Sequence, residues 1–485
     1  MAKQFFIGID VGSSGVRVEV YDVEGNLISA GKASITKQDV VEWIKAIENA
    51  TPSVVKNCVD CEKHVSIDST SGTFVAIDKY GNVLYGPVMY YEKRSDVFEE
   101  IKNVDAVNEL AKHGVSVDAS SPFVKILYIK KHFGKLYEGI YKFVPAATWL
   151  LYKLCYDEGE QWEDIKTDYT NALKFGLDIL STPPKWFELL FNSIGIELEK
   201  LPDLASSGEF ICKAKSRMAQ NIGLYNAFVY QGMTDGNAAA LAGGALGKGD
   251  VNIYTGSTTV PKISVDKIVM HPAIYYHIHP LDGYLAGSAT GFTGAYLSWF
   301  AEKVFGFSVE EAFRYIEVVE AGTEYVFFPY GDRGPFYDPK LAPAFINVAM
   351  YDQPRDIVVG RILRSIVLGI TMLENMYLNL FQNLFNVRIS EVNLTGGAAK
   401  SKLWNRIRAS VYGRRVIVHG DLIGVGTIIP VLYRSKIYTN IGEIKQRFLK
   451  PVEFIDPDKE LTKIYEKFKE KFEEMWMRLR EVYKI

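Results

Sequence analysis

The stretch IGIDVGSSGVRVEV, residues 7–20, decides the fold. An apolar run meets Asp10, a Gly-Ser turn follows and a second apolar run resumes, which predicts two β-strands joined by a tight turn. Glycines let the backbone approach a ligand, and consecutive N–H groups with serine hydroxyls can hold phosphate oxygens. The predicted phosphate-binding residues are Gly12, Ser13, Ser14 and Arg17. Asp10 ends the first strand, where its carboxylate can hold Mg²⁺ through water, although an ordinary hairpin with a solvated Asp10 is the alternative.

A second stretch, VNIYTGSTTVPKIS at residues 251–264, repeats this order of apolar run, Gly-Ser turn and apolar run. Two such turns, each between two predicted strands, suggest a clamp that binds a triphosphate from both sides. The predicted phosphate-binding residues of the second turn are Thr255, Gly256 and Ser257. The repeat predicts two related domains, residues 1–247 and 248–485, which face a shared cleft. A chance match between two common turns is the alternative.

A third small-residue loop, LTGGAAKS at residues 394–401, follows a predicted strand and precedes a predicted helix. Backbone with so few side chains could lie flat against an adenine or a ribose. A tight strand-to-helix connection without a ligand is the alternative.

Other local patterns indicate an α/β protein. Strands are predicted at residues 5–12, 16–25 and 26–34, and a helix follows at residues 39–50. Residues 97–225 are predicted to be mostly helical, and a second α/β pattern begins near residue 228. Strands followed by helices in this order are typical of α/β domains.

The composition is that of an ordinary soluble globular protein, with 48% hydrophobic and 23% charged residues. A chain of 485 residues exceeds one hydrophobic core and indicates two or three domains. Lys and Arg number 55 against 58 Asp and Glu, so the basic excess of a nucleic-acid-binding protein is missing. The N-terminus lacks the pattern of a signal peptide, and the most apolar helical stretch, residues 358–385, carries Arg361, Arg364 and Glu374. We therefore expect a cytoplasmic enzyme without nucleic-acid or membrane partners, and a homodimer is left open.

Four cysteines in a chain of this length predict no disulfide framework. Cys58 and Cys61 have the spacing of a redox or zinc half-site, but no second pair and no suitably spaced histidines complete it. We therefore expect free thiols.

The segment GMTDGNA, residues 232–238, places Asp235 among small residues. An alcohol is a poor nucleophile at neutral pH, and a carboxylate within hydrogen-bond reach can accept its proton during phosphoryl transfer. Asp235 is therefore the candidate catalytic base. The alternative is that Asp235 caps a helix that begins near Asn237.

Taken in order along nearly the whole chain, these motifs resemble those of the FGGY carbohydrate kinases. The matching segments are IGIDVGSSGVR (7–17), SSPFVKILY (120–128), GMTDGNA (232–238), YTGS (254–257), GDRGP (331–335) and TGGA (395–398) with Trp404. The resemblance implies an α/β fold of two actin/hexokinase-like (ribonuclease H-like) ATPase domains. It also implies ATP and Mg²⁺ as cofactors and a sugar hydroxyl as acceptor, with Asp235 as the catalytic base. The nucleotide-binding residues implied by the third loop are Gly396, Gly397, Ala398 and Asn405.

Four positions depart from the family pattern. Tyr128 stands where Trp is usual, and Asp332 stands where Glu is usual. Residues 426–428, Gly-Thr-Ile, replace a usual Gly-Ala-Ala helix start, and residues 368–370, Leu-Gly-Ile, stand where Glu-Gly is common. We expect neither of these last two to touch the reacting atoms, so the implied activity is kept.

Substrate choice is predicted from DSTSGT, residues 68–73, and YYEKR, residues 90–94. Xylulose kinases typically have Gly-Gln-Met-His-Gly in the first stretch and glycerol kinases an Arg-Glu pair, and this chain has neither. DSTSGT looks closer to ribulose kinases, and short hydroxyl side chains suit a polyol. The predicted substrate-binding residues are Thr70, Ser71, Glu92, Arg94 and Asp235. A ketopentose, D-ribulose or D-xylulose, is the expected substrate, while a heptulose, another ketose, glycerol, or a mere turn at residues 69–71 stay open.

Three other functions are less favoured by the sequence. An acetate-kinase-like enzyme or a chaperone ATPase is disfavoured by the order of motifs over the whole chain. A non-catalytic sugar or nucleotide sensor is disfavoured because Asp10 and Asp235 are both present. A metal-dependent hydrolase using His277 and His279 is disfavoured because no third ligand is evident.

Overall fold

A computed structural model describes residues 3–58, 60–331, 333–336, 338, 341–348 and 353–482. Packing divides the chain into two compact units. Unit one comprises Met1–Ala242, Tyr276–Tyr284 and Leu422–Leu449, and unit two comprises Gly243–Tyr275, Leu285–Asp421 and Lys450–Ile485. The division of the chain into domains 1–247 and 248–485 stays a prediction, and the motif position Asp332 lies outside the described residues.

The strands are short, and most are grouped in two large sheets. Up to residue 242 they are β1 (Lys3–Val11), β2 (Gly15–Tyr21), β3 (Leu27–Ser34), β4 (Cys61–Ser69), β5 (Phe74–Ile77), β6 (Val83–Val88), β7 (Lys142–Pro145), β8 (Lys166–Asp168), β9 (Leu177–Asp178), β10 (Lys185–Trp186), β11 (Asp203–Ala205), β12 (Phe210–Lys213), β13 (Phe228–Tyr230) and β14 (Met233–Thr234). The later strands are β15 (Val251–Thr255), β16 (Thr259–Val265), β17 (Tyr275–Ile278), β18 (Tyr284–Gly287), β19 (Val326–Phe328), β20 (Ala344–Ile346), β21 (Glu391–Thr395), β22 (Arg415–Val418) and β23 (Glu453–Ile455).

The helices lie between these strands. Up to residue 242 they are α1 (Val40–Ala50), α2 (Ser53–Asn57), α3 (Ser95–Ile101), α4 (Asp105–Lys112), α5 (Pro122–His132), α6 (Gly134–Gly139), α7 (Ala146–Cys155), α8 (Tyr169–Gly176), α9 (Glu188–Ile194), α10 (Arg217–Asn221) and α11 (Asp235–Ala242). The later helices are α12 (Gly294–Trp299), α13 (Val309–Glu317), α14 (Arg355–Phe385), α15 (Lys402–Tyr412), α16 (Gly424–Arg434), α17 (Ile441–Phe448) and α18 (Lys459–Val482). The predicted helix at 39–50 is confirmed as α1, whose N-cap Asp39 accepts a hydrogen bond from the Val41 N–H group.

The large sheet of unit one is built around the first predicted hairpin, which is confirmed. β1 pairs antiparallel with β2 on one side and parallel with β4 on the other. The strand order is β12-β13-β4-β1-β2-β3, and β14 pairs with the end of β4. Helices α7 and α16 pack on β4 and β1. The central strands are therefore buried on both faces, as is usual where helices cover a sheet.

The large sheet of unit two repeats this arrangement around the second predicted hairpin, which is also confirmed. β15 pairs antiparallel with β16 and parallel with β21. Beyond β21 follow β22, which is parallel to it, and β23, which is antiparallel to β22. The two hairpins therefore have the same frame, with one antiparallel and one parallel neighbour for the first strand.

The long helix α14 is apolar but holds buried ion pairs. Arg364 Nε lies 2.7 Å from Glu324 Oε1, and Glu374 Oε1 lies 2.6 Å from Arg408 Nη2. None of the helices in the described ranges combines the length and the apolar character that a membrane crossing requires.

The prediction that residues 97–225 are mostly helical is wrong in part. This range also contains the strands β7 to β12, each of two to four residues. Strands this short show too little alternation of apolar and polar residues to be seen in the sequence.

The prediction of free thiols is wrong as well. Cys58 is joined to Cys61, and Cys155 at the end of α7 is joined to Cys212 in β12. The second pair is 57 residues apart in sequence, and its Cα atoms lie 6.0 Å apart in the fold. Cys155 and Cys212 come together only because α7 packs against β12. The number and spacing of cysteines in the sequence therefore could not reveal this disulfide.

Candidate functional site

Three aspartates lie at the carboxyl edge of the unit-one sheet. Asp10, near the end of β1, pairs in register with Asp68 of the parallel strand β4. β14 pairs Met233 with Asp68 and leads directly into Asp235, the first residue of α11. Parallel strands end at one edge of a sheet, which is where ligands bind in α/β folds. The fold thus brings the predicted metal residue Asp10 and the predicted base Asp235 to the same edge as Asp68.

Asp10 and Asp68 form a buried carboxylate pair. Asp68 is fully buried and Asp10 is nearly so. Burial raises the pKa of Asp10, against the lowering effects of a hydrogen bond with Asp68 and of the Arg17 charge. The pKa of Asp68 is raised well above its ordinary value, first by burial and then by the negative charge of Asp10. Asp68 therefore retains its proton to higher pH than an exposed aspartate and can share it with Asp10.

Thr427 touches this carboxylate pair. Its hydroxyl donates a hydrogen bond to Asp68 Oδ2. A Cβ atom on Gly426 would lie 1.9 Å from the carbonyl oxygen of Ala238, so only glycine allows α16 to pack this closely on α11. The expectation that residues 426–428 do not touch the reacting atoms stays a prediction, although Thr427 contacts the buried carboxylate pair. The departure from the family pattern supplies a hydroxyl that binds a site carboxylate, and the fold rather than the local sequence puts it there.

The carboxylate pair fits a hydrated divalent cation. Carboxylate oxygens are hard ligands of the kind that Mg²⁺ prefers, and Mg²⁺ usually keeps several of its water molecules. Within the described ranges, no three His, Cys, Asp or Glu side chains are close enough to hold a metal by themselves. These residues therefore fit a cation that would be held mainly through water, and no metal cluster is found at His277 and His279 within the described residues.

The β1–β2 turn exposes its predicted phosphate-binding residues. Ser13 and Ser14 are exposed, and the side chain of Arg17 is 52% exposed, with Nη1 3.8 Å from Asp10 Oδ2. The Gly12 N–H group donates to the Gly15 carbonyl at 3.0 Å and closes the turn. The turn is accessible to an anion, and its role in phosphate binding stays a prediction.

Asp235 is held firmly and remains partly accessible. The helix α11 begins at Asp235 itself rather than near Asn237. Asp235 Oδ1 accepts a hydrogen bond from the Gly236 N–H group at 2.6 Å. Just before it, the Thr234 N–H group donates to Thr170 Oγ1 of α8 at 2.9 Å. One carboxylate oxygen is therefore hydrogen-bonded to the start of α11, and the side chain stays partly accessible to a substrate, as a catalytic base requires.

The turn at residues 68–73 is tied together by its own hydroxyls. Thr70 Oγ1 and Thr73 Oγ1 lie 2.7 Å apart, and both residues are buried. The backbone carbonyl of Ser71 accepts a hydrogen bond from Lys174 Nζ at 3.3 Å. Two predicted substrate-binding residues lie in this turn. Thr70 is buried, whereas Ser71 is only partly buried and is therefore the more accessible to a substrate.

The other two predicted substrate-binding residues brace the loop at 90–94. Glu92 accepts hydrogen bonds from the Met89 N–H group and from Arg94 Nη2, both at 2.7 Å. The Arg94 guanidinium lies 4.7 Å from the ring centroid of Tyr128, the residue found where Trp is usual. Both side chains therefore have structural partners already, and their contact with a substrate stays a prediction.

Two lysines at this site were missed by sequence reasoning. Lys174 on α8 interacts electrostatically with Asp235 and Asp118, while burial lowers its pKa. Lys125 on α5 donates to the carbonyl of Met89 at 2.8 Å, and burial lowers its pKa to about 8. The only signal for Lys125 was a lysine inside the apolar run of α5, and Lys174 gave none.

Unit two holds a cavity of about 520 Å³ beside its hairpin. Its walls include Gly256, Ser257, Phe313, Gly397, Ala398 and Trp404. Gly396 has φ near +89°, and a Cβ atom there would lie 2.6 Å from the carbonyl oxygen of Thr255. Glycine is therefore required where the second and third predicted loops meet, and the fold brings both loops to one cavity.

Thr255 and Asn405 support the cavity from behind. Thr255 is fully buried and its hydroxyl donates to Glu374 Oε1 at 2.6 Å. Asn405 is also buried and donates to the carbonyl of Ala399 at 2.7 Å. The side chains of these two predicted nucleotide-binding residues therefore hold the loops in place, and nucleotide binding by the loops stays a prediction.

One buried ionic network joins these supports. Glu374 accepts hydrogen bonds from Arg408 Nε and Nη2 at 2.9 and 2.6 Å and from the Tyr412 hydroxyl at 2.6 Å. Arg408 Nη1 also donates to Asn405 Oδ1 at 3.3 Å. A buried charge needs such full pairing to be tolerated. The network therefore fixes the second and third loops relative to each other.

Known proteins share this chain's sequence and fold at low identity. A xylulose kinase of Staphylococcus epidermidis is 21% identical, with 99% of this chain and 98% of the relative covered. An autoinducer-2 kinase of Escherichia coli is 21% identical, with 98% and 94% covered. Among solved structures, a glycerol kinase of Plasmodium falciparum superposes with a TM-score of 0.83 at 17% identity, covering 100% of this chain and 99% of that one. A gluconate kinase from Lactobacillus acidophilus gives 0.82 at 18% identity, covering 99% and 98%.

Two family models match the chain. The model of the N-terminal domain of the FGGY family of carbohydrate kinases matches residues 5–242, and the model of its C-terminal domain matches residues 271–426. These matches cover most of the chain, in agreement with the α/β sheets and with the solved structures. The chain belongs to the FGGY family of carbohydrate kinases.

Proposed function

We propose that this sugar phosphotransferase moves the γ-phosphoryl group of ATP to a hydroxyl group of a ketopentose such as D-ribulose or D-xylulose. The observation that carries the proposal is the surroundings of Asp235. This carboxylate shares one sheet edge with the Asp10–Asp68 pair and interacts electrostatically with Lys174, whose ammonium group is bonded to Ser71. A base, a cation and a hydroxyl-rich turn are the groups that a polyol acceptor requires.

In the proposed reaction, Asp235 accepts the proton of the sugar hydroxyl. The oxygen of that hydroxyl forms a bond to the γ-phosphorus, the bond from this phosphorus to the β,γ-bridging oxygen breaks, and ADP leaves. Arg17 lies close to Asp10 and can neutralise phosphate charge. A bound Mg²⁺ would be held by Asp10 through water and would offset charge on the phosphate oxygens.

Lys174 is proposed to orient the substrate. Its ammonium group has three N–H donors, and the Ser71 carbonyl at 3.3 Å accounts for one of them. Burial lowers the pKa of Lys174, while Asp235 and Asp118 favour its charged form. A charged donor in this position can bind a sugar hydroxyl group and also attract the Asp235 carboxylate.

The unit-two cavity is proposed to bind the nucleotide. Small residues at Gly256, Gly397 and Ala398 leave the backbone open to phosphate and ribose groups. Phe313 and Trp404 supply apolar wall on which a purine ring can pack. The volume of about 520 Å³ suits a ligand of this size.

The direct test is sugar-dependent release of ADP. The pure protein is incubated with Mg-ATP and with D-ribulose, D-xylulose, sedoheptulose and glycerol, one at a time. We expect the largest stimulation with a ketopentose, and none without added Mg²⁺. Stimulation by none of these compounds would reject the proposed substrate class.

A sugar acid is a second candidate, favoured by the positive charge of Lys174 near Asp235. A carboxylate on the substrate could pair with this ammonium group. The same assay with D-gluconate separates the two. Faster turnover with D-gluconate than with both ketopentoses would replace the first candidate by the second.

A further inference from the structure

A separate pocket in unit two lies among helices α14, α15 and α18. It encloses about 310 Å³, and its walls include Asn375, Asn379, Tyr412, Arg414 and Lys469. Two amides, a phenol and two cations thus converge on one small space. None of these five belongs to the residues predicted to bind sugar or ATP.

The backbone at the end of α15 turns Arg414 toward this pocket. The helix ends at Tyr412, and Gly413 follows in the left-handed conformation, with φ near +62°. This C-cap geometry reverses the chain after the helix and favours glycine. Asn375 and Asn379 are one turn apart on α14, so their side chains lie on the same helix face.

Arg414 lacks a partner for a buried donor. Within the part of the chain that the structure describes, its Nη1 atom is shielded from water and makes no hydrogen bond. Burial lowers the pKa of Arg414. A buried N–H donor without an acceptor is costly, and the cost is higher for a charged group. An acceptor supplied by a ligand would remove this penalty.

Lys469 adds a second positive charge. Its Nζ atom donates to the carbonyl of Val411 at 2.9 Å, which leaves further N–H donors. Burial lowers the pKa of Lys469, the charge of Glu466 raises it, and the like charge of Arg414, which lines the same pocket, lowers it again. An anion between them would relieve this repulsion.

The pocket also has two carboxylates on its wall. Glu470 and Glu473 come from exposed positions of α18. Exposed charges are well solvated and screened, so they oppose an anion less than two half-buried cations attract it.

We propose that this pocket binds a small oxyanion, a phosphate group that is either free or carried by a small metabolite, between Arg414 and Lys469. The arginine fork offers paired donors to phosphate oxygens, and the lysine acts as a point charge. The amides of Asn375 and Asn379 can complete the coordination. The wall residue Tyr412 also donates to Glu374, the carboxylate that holds Thr255. An anion here would therefore contact the same network that supports the second loop.

Binding is tested by calorimetric titration with inorganic phosphate and, separately, with glycerol 3-phosphate. The wild-type chain is compared with Arg414→Gln, Lys469→Gln and Arg415→Gln. Arg415 is the matched control, since it is adjacent in sequence but exposed and paired with Asp456. Circular dichroism of each variant checks that it is folded.

We expect Arg414→Gln and Lys469→Gln each to weaken one phosphate site by roughly ten-fold or more, the effect of losing a charged hydrogen bond. Arg415→Gln should bind like the wild type. Tighter binding of glycerol 3-phosphate would identify a metabolite as the source of the phosphate group, and tighter binding of inorganic phosphate the free ion. Equal binding by the wild type and both pocket variants, or no binding by the wild type, would overturn the proposal. The readout needs neither sugar nor ATP turnover, so a failure of the proposed kinase reaction would not affect it.

Discussion

The hairpins of the two units have the same frame and different chemistry at the same position. In unit one, the residue two places before Gly12 is Asp10, which pairs with Asp68 of the parallel neighbour. In unit two, the residue two places before Gly256 is Tyr254, which pairs with Thr395. Asp10 is 7% exposed, whereas Tyr254 is 45% exposed.

This difference separates what the backbone contributes to ligand binding from what the side chains contribute. The shared frame puts a small-residue turn beside the end of a parallel strand in both units, which is a geometry suited to phosphate. Buried carboxylates suit unit one to a hydrated cation and to proton transfer. The cavity of unit two combines small residues with the aromatic side chains of Phe313 and Trp404, which suits the proposed binding of a nucleotide.

The largest expected effect is in unit one. Asp235→Asn removes the proton acceptor while keeping size and polarity, so kcat should fall by about 10²–10⁴-fold. The melting temperature should be unchanged, because Asn serves as well as Asp at a helix N-terminus. Steady-state kinetics and thermal melts measure both. Asp266→Asn, an exposed change in unit two, is the control, and a variant that keeps most of its turnover would remove Asp235 from the mechanism.

Asp10→Asn and Tyr254→Phe compare the two matched positions directly. We expect Asp10→Asn to lower kcat by about 10²–10³-fold, since charge positioned at the phosphates contributes on this scale. Tyr254→Phe should leave kcat nearly unchanged, because the Tyr254 side chain is half-exposed and carries no charge. Rates at several Mg²⁺ concentrations are the measurement. An equal loss of kcat in the two variants would show that the two matched positions do not differ in their importance for catalysis.

The double change Thr70→Met with Ser71→His tests the substrate turn. It removes the Thr70–Thr73 hydrogen bond and imports the pattern typical of xylulose kinases. The ratio of kcat/KM values between D-ribulose and D-xylulose should change by roughly 10–100-fold, as pocket changes of this size do. Nucleotide affinity, which we propose to depend on unit two, should stay constant. An unchanged ratio with intact activity would mean that these residues only shape the turn.

The smallest effect on catalysis is expected for Glu374→Gln. The change removes the negative charge that pairs with the buried charge of Arg408. The free energy of unfolding should therefore fall by about 3–5 kcal/mol. Because Glu374 holds Thr255, the KM for ATP should rise while kcat changes little. Denaturant unfolding and ATP titrations measure these effects. Glu391→Gln, a change at a partly exposed residue 3.8 Å from Arg415, is the control, and equal stability of the two variants would show that the network does not stabilise unit two.

The sequence predicted those features that depend on neighbouring residues. Both hairpins, their turns and the helix capped by Asp39 follow from local patterns of apolar, small and capping residues. Asp10 and Asp235 were singled out because they lie within such patterns. From the sequence, Asp68 belongs only to the stretch 68–73 that predicts substrate choice, whereas in the fold it pairs with Asp10.

The remaining features depend on residues that are distant in the chain. Lys174 reaches Ser71 across 103 positions, and Thr427 reaches Asp68 across 359. The disulfide of Cys155 likewise depends on packing between α7 and β12. One sequence contains no local signal for such contacts, since they arise only when the sheet and its covering helices assemble.

The bond between Thr427 and Asp68 has a consequence for biosynthesis. A ribosome makes the strand that carries Asp68 early and the helix that carries Thr427 late, 359 residues further on. Until α16 has emerged, β1 lacks its covering helix and Asp68 lacks this hydrogen bond. The first unit to be translated is therefore completed only near the end of translation. A gene truncated before residue 422 would yield a chain in which unit one lacks Leu422–Leu449, even though its sheet is encoded in full.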